Sequence, residues 1–538
     1  MVKALRVGAT MLDARTVSVF ALSALIISPV VALILISTGD SEGIWRHLVD
    51  SVLGKYVTNT ATLMLGVGLV SLVFGVSTAW IVTSYRFRFS RWLDLIMLLP
   101  MACPAYLVAY AYTDFFEYAG PIQGALRKIM GWKSASDYYF PEIRSMGGAI
   151  FVLSSVLYPY VYLLSRTAFQ KVPTSFYEVA ALSNRNAFWN ICLPLARPAI
   201  AAGLVLVLME VMSDFGTVEF FAIETLTLGI FNVWIGMDSI TGAAQIATVA
   251  FAFVILLIVL EFYARGDRSF SDTGSLHLSN ARVEVFGKSA FIFALICFLP
   301  VGFGFLIPIT ILATNVLKSS DLVAFSDVWR VLSNTVFVAL IGAFLIMGSA
   351  VWVGSSAKMA QGKALQIIGN ICATGYAFPG TMLAIGVLAC LSFADVFMQW
   401  SPIYFSGTIF ALFFAYLVRF QAVGYGAVSS GLTKVPDNLI NCSRSLGMSP
   451  HVTTLRVTIP LVRNAILAGF VLAFVDITKE LPMTLLLRPF DFETLATYAY
   501  QYAHSELMDQ ASLPALIIIC LGLIPVVFLN HVMQKNWV

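Results

Sequence analysis

Residues 251–260 read Phe-Ala-Phe-Val-Ile-Leu-Leu-Ile-Val-Leu, and apolar residues continue on both sides to about 244–264. A helix that crosses a membrane needs about 20 mostly apolar residues. A strand of a membrane barrel would alternate apolar and polar positions instead. This run does not alternate, so it reads as a helix in lipid. Eleven further stretches qualify, near 17–38, 59–84, 92–114, 146–168, 195–213, 289–313, 335–357, 365–392, 404–425, 463–480 and 512–534. The first is too long for a signal-peptide core and has no small-residue cleavage site near its end. The expected fold is an all-α integral membrane protein of about 12 transmembrane helices.

Composition agrees with that reading. Of 538 residues, 59% are hydrophobic and 11% charged, and the mean hydropathy is +0.87. A soluble domain carries about a quarter charged residues, so a soluble enzyme and a disordered chain are both excluded. The partner of most of the surface is the lipid bilayer. A net charge of +3 gives no global field for nucleic acid. Most Lys and Arg fall in alternate loops, among them Arg86, Arg88, Arg91, Lys171, Arg185, Arg265, Arg268, Lys434, Arg444 and Arg456. The positive-inside rule then places both termini in the cytoplasm. The seven cysteines form no CxxC and the five histidines no metal-ligand spacing. No catalytic constellation is present, and the chain reads as a non-enzyme.

The chain repeats itself. Asn59-Thr60 recurs as Asn334-Thr335, and Pro104 in Cys-Pro-Ala recurs as Pro379 in Phe-Pro-Gly, both 275 positions later. Lys171-Val172-Pro173 recurs as Lys434-Val435-Pro436. Leu193-Pro194-Leu195, with Arg197, Ala199, Ile200 and Gly203, recurs 266 positions later as Ile459-Pro460-Leu461, with Arg463, Ala465, Ile466 and Gly469. Four matches in one order indicate two tandem six-helix repeats, 1–264 and 289–538, joined by a polar cytoplasmic linker at 265–288. An even number of crossings implies a pseudo-two-fold along the membrane normal. The linker holds Gly287-Lys288-Ser289, but Arg282 stands where a phosphate loop needs its first glycine. Any ATP is therefore bound by another chain, and no cofactor is expected on this one.

Two cytoplasmic loops, about 169–194 and 432–460, carry the most informative pattern. The first contains Tyr177-Glu178-Val179-Ala180-Ala181-Leu182-Ser183-Asn184 and then Ile191-Cys192-Leu193-Pro194. The second contains Asn441-Cys442-Ser443-Arg444-Ser445-Leu446-Gly447 and then Val457-Thr458-Ile459-Pro460. Each reads as a short helix, a turn residue, a second helix and a proline-started membrane helix, a polar elbow suited to a groove on a partner. The loops resemble the EAA coupling motif of ABC importer permeases. The second copy has Gly447 at the motif's glycine but Asn441 where the family has Glu, with Ser443 two residues on. The first keeps Glu178 and Ala180, is three residues shorter before Leu193-Pro194, and puts Asn184 or Ser183 at the glycine.

Downstream, Asp214-Phe215-Gly216-Thr217-Val218 and Lys479-Glu480-Leu481-Pro482-Met483-Thr484 are similar to segments of the fused permease of periplasmic ferric-iron importers. That resemblance covers nearly the whole chain. It implies a type I ABC importer permease in a bacterial inner membrane, with a cytoplasmic ABC ATPase dimer and a periplasmic iron-binding protein as partners. It also implies Fe3+ as the transported ion and alternating access as the mechanism.

The residues make a separate case for a cation. The fifth span holds Glu210 and Asp214, and its repeat, the eleventh, holds Asp476 and Glu480. Each pair is four positions apart, so both carboxylates of a pair should face one side of a helix. Glu210 lies 12 residues beyond Pro198, about 18 Å of helix rise in a hydrocarbon core about 30 Å thick. It and Asp476 belong near mid-depth, with Asp214 and Glu480 nearer the outside or simply solvated there. Intramembrane carboxylates mark pathways by default, and hard oxygen ligands select hard cations. These four acids are the expected metal contacts, and Lys479 is placed to pair with Asp476 or Glu480. Pro104 and Pro379 should kink the third and ninth helices, either as hinges along the path or as ordinary bent-helix packing. The outer loop 114–144, with Tyr138-Tyr139, either receives the binding protein or anchors at the lipid interface. Alternatives are a type I permease for a polyamine or thiamine, and an ion-coupled secondary transporter.

Overall fold

The computed structural model describes residues 14–87, 90–265, 282–318, 325–359, 363–372, 374–398 and 404–535; positions 266–281 of the expected linker lie outside them. Among the described residues, eleven helices are long and apolar enough to cross a membrane, or twelve if one bent pair counts as a span. The first half supplies Arg15–Ser37, Leu53–Ser84, the bent pair Trp92–Ala102 and Ala105–Met130, Met146–Gln170, Phe188–Ser213 and Ile240–Leu260. The second supplies Gly287–Lys318, Phe325–Met359, Gly380–Phe397, Ile409–Thr433, Pro450–Thr478 and Met508–Val527. The one β-structure among the described residues is a parallel ladder in which Tyr85 and Arg86 pair with Val283 and Glu284.

Many hydroxyls inside these helices bond to a carbonyl of the preceding turn, a local partner of the kind lipid favours. Thr60 donates to the Tyr56 carbonyl at 2.7 Å, Thr78 to Phe74 at 2.6 Å and Ser23 to Val19 at 2.6 Å. Prolines leave a second mark. Wide π-turns at Phe188–Cys192, Gly302–Leu306 and Thr454–Thr458 each end two residues before a proline: Pro194, Pro308 and Pro460. A proline cannot donate to the carbonyl four residues back and clashes with it. One widened turn absorbs the misfit and keeps the helix continuous. The membrane helices of the elbows therefore start ahead of Pro194 and Pro460 rather than at them.

Pro104 and Pro379 act differently from the expected kink. The third span runs as Ser90–Ile96, a 3-10 turn Leu99–Ala102 and then Ala105–Phe116, with Pro104 as an extended N-cap. The ninth repeats this as Lys363–Cys372, Gly375–Ala377 and Gly380–Phe397, with Pro379 as the cap. Both prolines are buried, and the bend in the third span is 85°. A proline fits the first turn of a helix but not its interior, so the chain stops and restarts at each one.

The described chain forms two compact units, and they do not follow the two sequence halves. One comprises 1–39 with 329–494, the other 40–328 with 495–538. In the first unit, Gly386 of the ninth span lies where an added Cβ would be 2.2 Å from the Pro29 carbonyl of the first span. In the second unit, Gly304 of the seventh span sits likewise against the Ser155 carbonyl, and the Tyr112 hydroxyl donates to the Phe303 carbonyl at 2.7 Å. Pro29 and Gly304 are 275 positions apart, the repeat distance. Each half thus lends its first helix to the core of the other half. The duplication also repeats its hydrogen bonds: Asn59 Nδ2 donates to the Glu224 carbonyl at 3.0 Å, and Asn334 Nδ2 to the Glu493 carbonyl at 3.1 Å.

Candidate functional site

The fifth and eleventh spans end abruptly, and their acids cause it. The helix Leu193–Ser213 stops at Asp214, which is extended (φ −66°, ψ 128°). Its carboxylate accepts from Thr217 N at 3.0 Å, Val218 N at 3.2 Å and Thr217 Oγ1 at 3.0 Å. It therefore caps the short helix Gly216–Phe220, the task for which Asp is favoured. Helix Ile459–Thr478 ends one residue before Lys479, and Pro482 then starts Pro482–Leu487. Glu480 Oε1 accepts from Met483 N at 3.1 Å, the same offset of three residues.

The expectation of one shared helix face is corrected for Asp476 with Glu480, while Asp214, the first residue past its helix, stays within electrostatic reach of Glu210. Asp214 and Glu480 lie past the ends of their helices, and their carboxylates turn onto the next one. Glu210 and Asp476 remain inside the helices, both part-buried. Lys479 Nζ pairs with Asp476 Oδ1 at 3.0 Å. Glu480 is 7% exposed and is also met by Arg419 Nη1 at 3.4 Å. Its backbone carbonyl accepts from Thr484 Oγ1 at 3.0 Å, and that hydroxyl meets Tyr416 at 2.7 Å. Among the described residues no three His, Cys, Asp or Glu side chains converge as a set that could hold a metal.

Arg419 escaped the sequence reading, although an arginine inside an apolar span is itself a signal. So did Arg166, whose Nε pairs with Asp94 Oδ1 at 2.9 Å. A third is Arg15 of the first span, 6% exposed. It donates to Ser356 at 2.6 Å, Ser355 at 2.7 Å and Thr454 at 3.1 Å, and its guanidinium lies 5.0 Å from the Trp352 ring centre.

The two elbows share a backbone. In the first, helix Thr174–Leu182 ends as Arg185 N donates to the Ala180 carbonyl at 2.9 Å, with Asn184 left-handed at φ 51°. In the second, helix Asp437–Ser445 ends as Met448 N donates to the Ser443 carbonyl at 3.2 Å, with Gly447 at φ 80°. The same closure makes Asn184, not Ser183, the counterpart of Gly447, and Ala180 the counterpart of Ser443. Asn is the non-glycine residue that best tolerates this conformation. Glu178 and Asn441 are exposed at matching positions.

What fastens the elbows differs. Beneath the first, Trp80 packs on Phe169, Tyr177 and Phe188 with ring centres 5.6, 6.5 and 5.0 Å away. Beneath the second the ties are polar: Ser443 to Thr453 at 2.9 Å, Lys358 to Asp437 at 2.6 Å, and Arg15 to Thr454. Apolar side chains still point outward from both, including Leu182, Trp189, Leu446 and Leu455.

The loop 114–144 is built around its own aromatic core. Trp132 stacks on Tyr138 at 4.6 Å, and Arg127 lies 4.0 Å over Tyr118 and donates to the Tyr138 hydroxyl at 3.1 Å. Backbone N–H groups of Ser134 and Lys133 hold the Asp137 carboxyl below its ordinary range. Tyr138 is thus an internal strut, whereas Tyr139 is almost fully exposed.

Two segments, 71–268 and 350–537, match the profile of the binding-protein-dependent transport system inner membrane component. The chain belongs to that family. Its two matches fall one in each half, and the family is one of transport permeases. The chain is 23% identical over 489 residues to the Fe(3+)-transport system permease protein FbpB 2 of Haemophilus influenzae, across 89% of this chain and 90% of that one. It is 24% identical to the ferric transport system permease protein FbpB of Actinobacillus pleuropneumoniae, across 84% and 68% respectively. A probable sulfate transport system permease of Chlorokybus atmophyticus is 25% identical but covers only 36% of this chain. A secondary transporter is not favoured by this membership.

Proposed function

We propose that this chain is the membrane-spanning permease of an ATP-driven importer that carries iron(III) from the periplasm to the cytoplasm by alternating access. The observation that carries the choice of iron is similarity to ferric permeases over 84–89% of this chain, where the sulfate permease matches 36% of it. The chemistry agrees, because carboxylates inside spans suit a hard cation.

In this reading both termini are cytoplasmic, and the elbows at 169–194 and 432–460 dock into a dimer of cytoplasmic ATPases that binds the ATP. Their exposed Leu182, Trp189, Leu446 and Leu455 seat in grooves of that partner. Glu178, Ala180 and Asn184, and Asn441, Ser443 and Gly447, are the coupling residues. A periplasmic iron-binding protein docks on the outer face, with the loop 114–144 and its exposed Tyr139 as part of the surface. Glu210 and Asp476, at equivalent positions of the two copies, contact the ion in transit, with Lys479 neutralising Asp476 while the path is empty. Asp214 and Glu480 shape the path as helix caps and are its outer acids. The restarts at Pro104 and Pro379 serve as hinges.

The test is uptake of radiolabelled ferric iron into liposomes holding the permease and its ATPase, supplied with loaded binding protein. The Glu210→Gln/Asp476→Asn double variant should lose most uptake while still assembling with the ATPase. Uptake at the wild-type rate would remove these acids from the path.

A further inference from the structure

In the unit formed by 40–328 and 495–538, phenols collect beside a carboxylate that the transport reading leaves unused. The third span restarts after Pro104, and its first turns carry Tyr106 and Tyr110 on one face, with ring centres 5.6 Å apart. Tyr110 is 2% exposed and packs on Phe220 at 4.4 Å, the residue after Glu219. Its hydroxyl has no hydrogen-bond partner, although it lies within electrostatic reach of Glu219, Asp214, Tyr106 and Tyr500. A buried hydroxyl left unpaired forfeits its hydration with no return, so one retained among acids calls for a reason.

Glu219 supplies the second observation. Its Oε1 meets His504 Nδ1 at 3.1 Å, while its Oε2 is buried without a hydrogen bond. Tyr500 stacks on the His504 ring at 5.7 Å and faces the same carboxylate. His504 is more than half exposed and Glu219 only 14%. The donors thus grade from a solvent-facing imidazole, through a carboxylate, to a buried phenol.

We propose that Tyr110, Glu219, Tyr500 and His504, with Tyr106 beside them, form a transient binding site for a hard trivalent cation. Phenol and carboxylate oxygens are hard ligands, and tyrosine binds ferric iron in other proteins. The inference rests on the iron(III) reading above and adds a waypoint outside the two acid pairs. A polyamine would use the ring faces and the carboxylate but has no need of the Tyr110 oxygen, which gives the test its edge.

Tyr110→Phe keeps the packing on Phe220 and deletes only an unpaired hydroxyl, so packing alone predicts an unchanged or higher melting temperature and unchanged transport. The experiment compares uptake of radiolabelled ferric iron, delivered by the loaded binding protein, by wild type, Tyr110→Phe and Glu219→Gln in liposomes with the ATPase partner. Each variant's melting temperature is measured in parallel. The expected result is a loss of about 10–100-fold in both variants, the scale on which even outer partners tune metal sites, with Tyr110→Phe no less stable. Wild-type uptake by Tyr110→Phe overturns the waypoint and leaves the importer standing, as does a loss matched by a fall in melting temperature. A wild-type protein that carries no iron overturns both.

Discussion

Beside Gly380, the Arg419 guanidinium reaches Glu480, and both side chains are less than a tenth exposed. A Cβ at position 380 would stand 2.3 Å from Arg419 Nη1, so the glycine makes the room. Removing one member of a buried pair costs about 3–5 kcal/mol because the other charge is stranded. Arg419→Met should therefore lower the melting temperature markedly, and Arg419→Met/Glu480→Gln should recover part of the loss. A double variant less stable than the single would contradict this account. At this scale the sequence was only partly legible. The acids, the prolines and Lys479 stand out as exceptions in apolar runs. The i, i+4 reading of Asp476 with Glu480 assumed an unbroken helix, whereas that helix ends at Thr478. Asp214 is itself a capping residue, and Glu480 stands two before Pro482, where the helix cannot continue.

Among the elements, the elbows combine a shared backbone with different supports. Gly447 is left-handed and open, with nothing within 4 Å of an added Cβ, so Gly447→Ala adds only backbone strain of about 1–2 kcal/mol. Asn184→Gly should be neutral or slightly stabilising for the same reason. The two changes would separate in thermal unfolding and in ATPase stimulation by loaded binding protein, with Gly447→Ala lower in both. Equal behaviour would mean that the left-handed turn does not set the elbow. The second elbow also hangs on Arg15, whose fork joins Ser355, Ser356 and Thr454. Arg15→Met should loosen the segment around Thr454, seen as faster amide exchange at 450–458, with no change at 183–192, where Trp80 and its aromatic neighbours hold the first elbow. The helix–turn–helix of each elbow was legible because Gly and Pro punctuate it. Its fastening was not, since it depends on residues hundreds of positions away.

For the molecule as a whole, the number of spans and the duplication could be read directly. Hydropathy measures what lipid accepts, and repeated motifs survive as spacing. The exchange of first helices between halves could not. Every spanning helix is apolar enough for lipid, so composition does not say which neighbour it packs on; close contacts at small residues decide that, here at Gly386 and Gly304. The same exchange makes each compact unit depend on both halves of the sequence. Halves expressed separately, 1–264 and 289–538, should each be less stable than when co-expressed, and should regain stability on association. Halves that fold fully alone would contradict the exchange.

The central claim is tested most directly by uptake of radiolabelled ferric iron into liposomes containing the permease with its ATPase, with loaded binding protein outside and ATP available to the ATPase. The account predicts ATP-dependent iron accumulation that the Glu210→Gln/Asp476→Asn variant loses. Accumulation without ATP, or none with every component present, would contradict it.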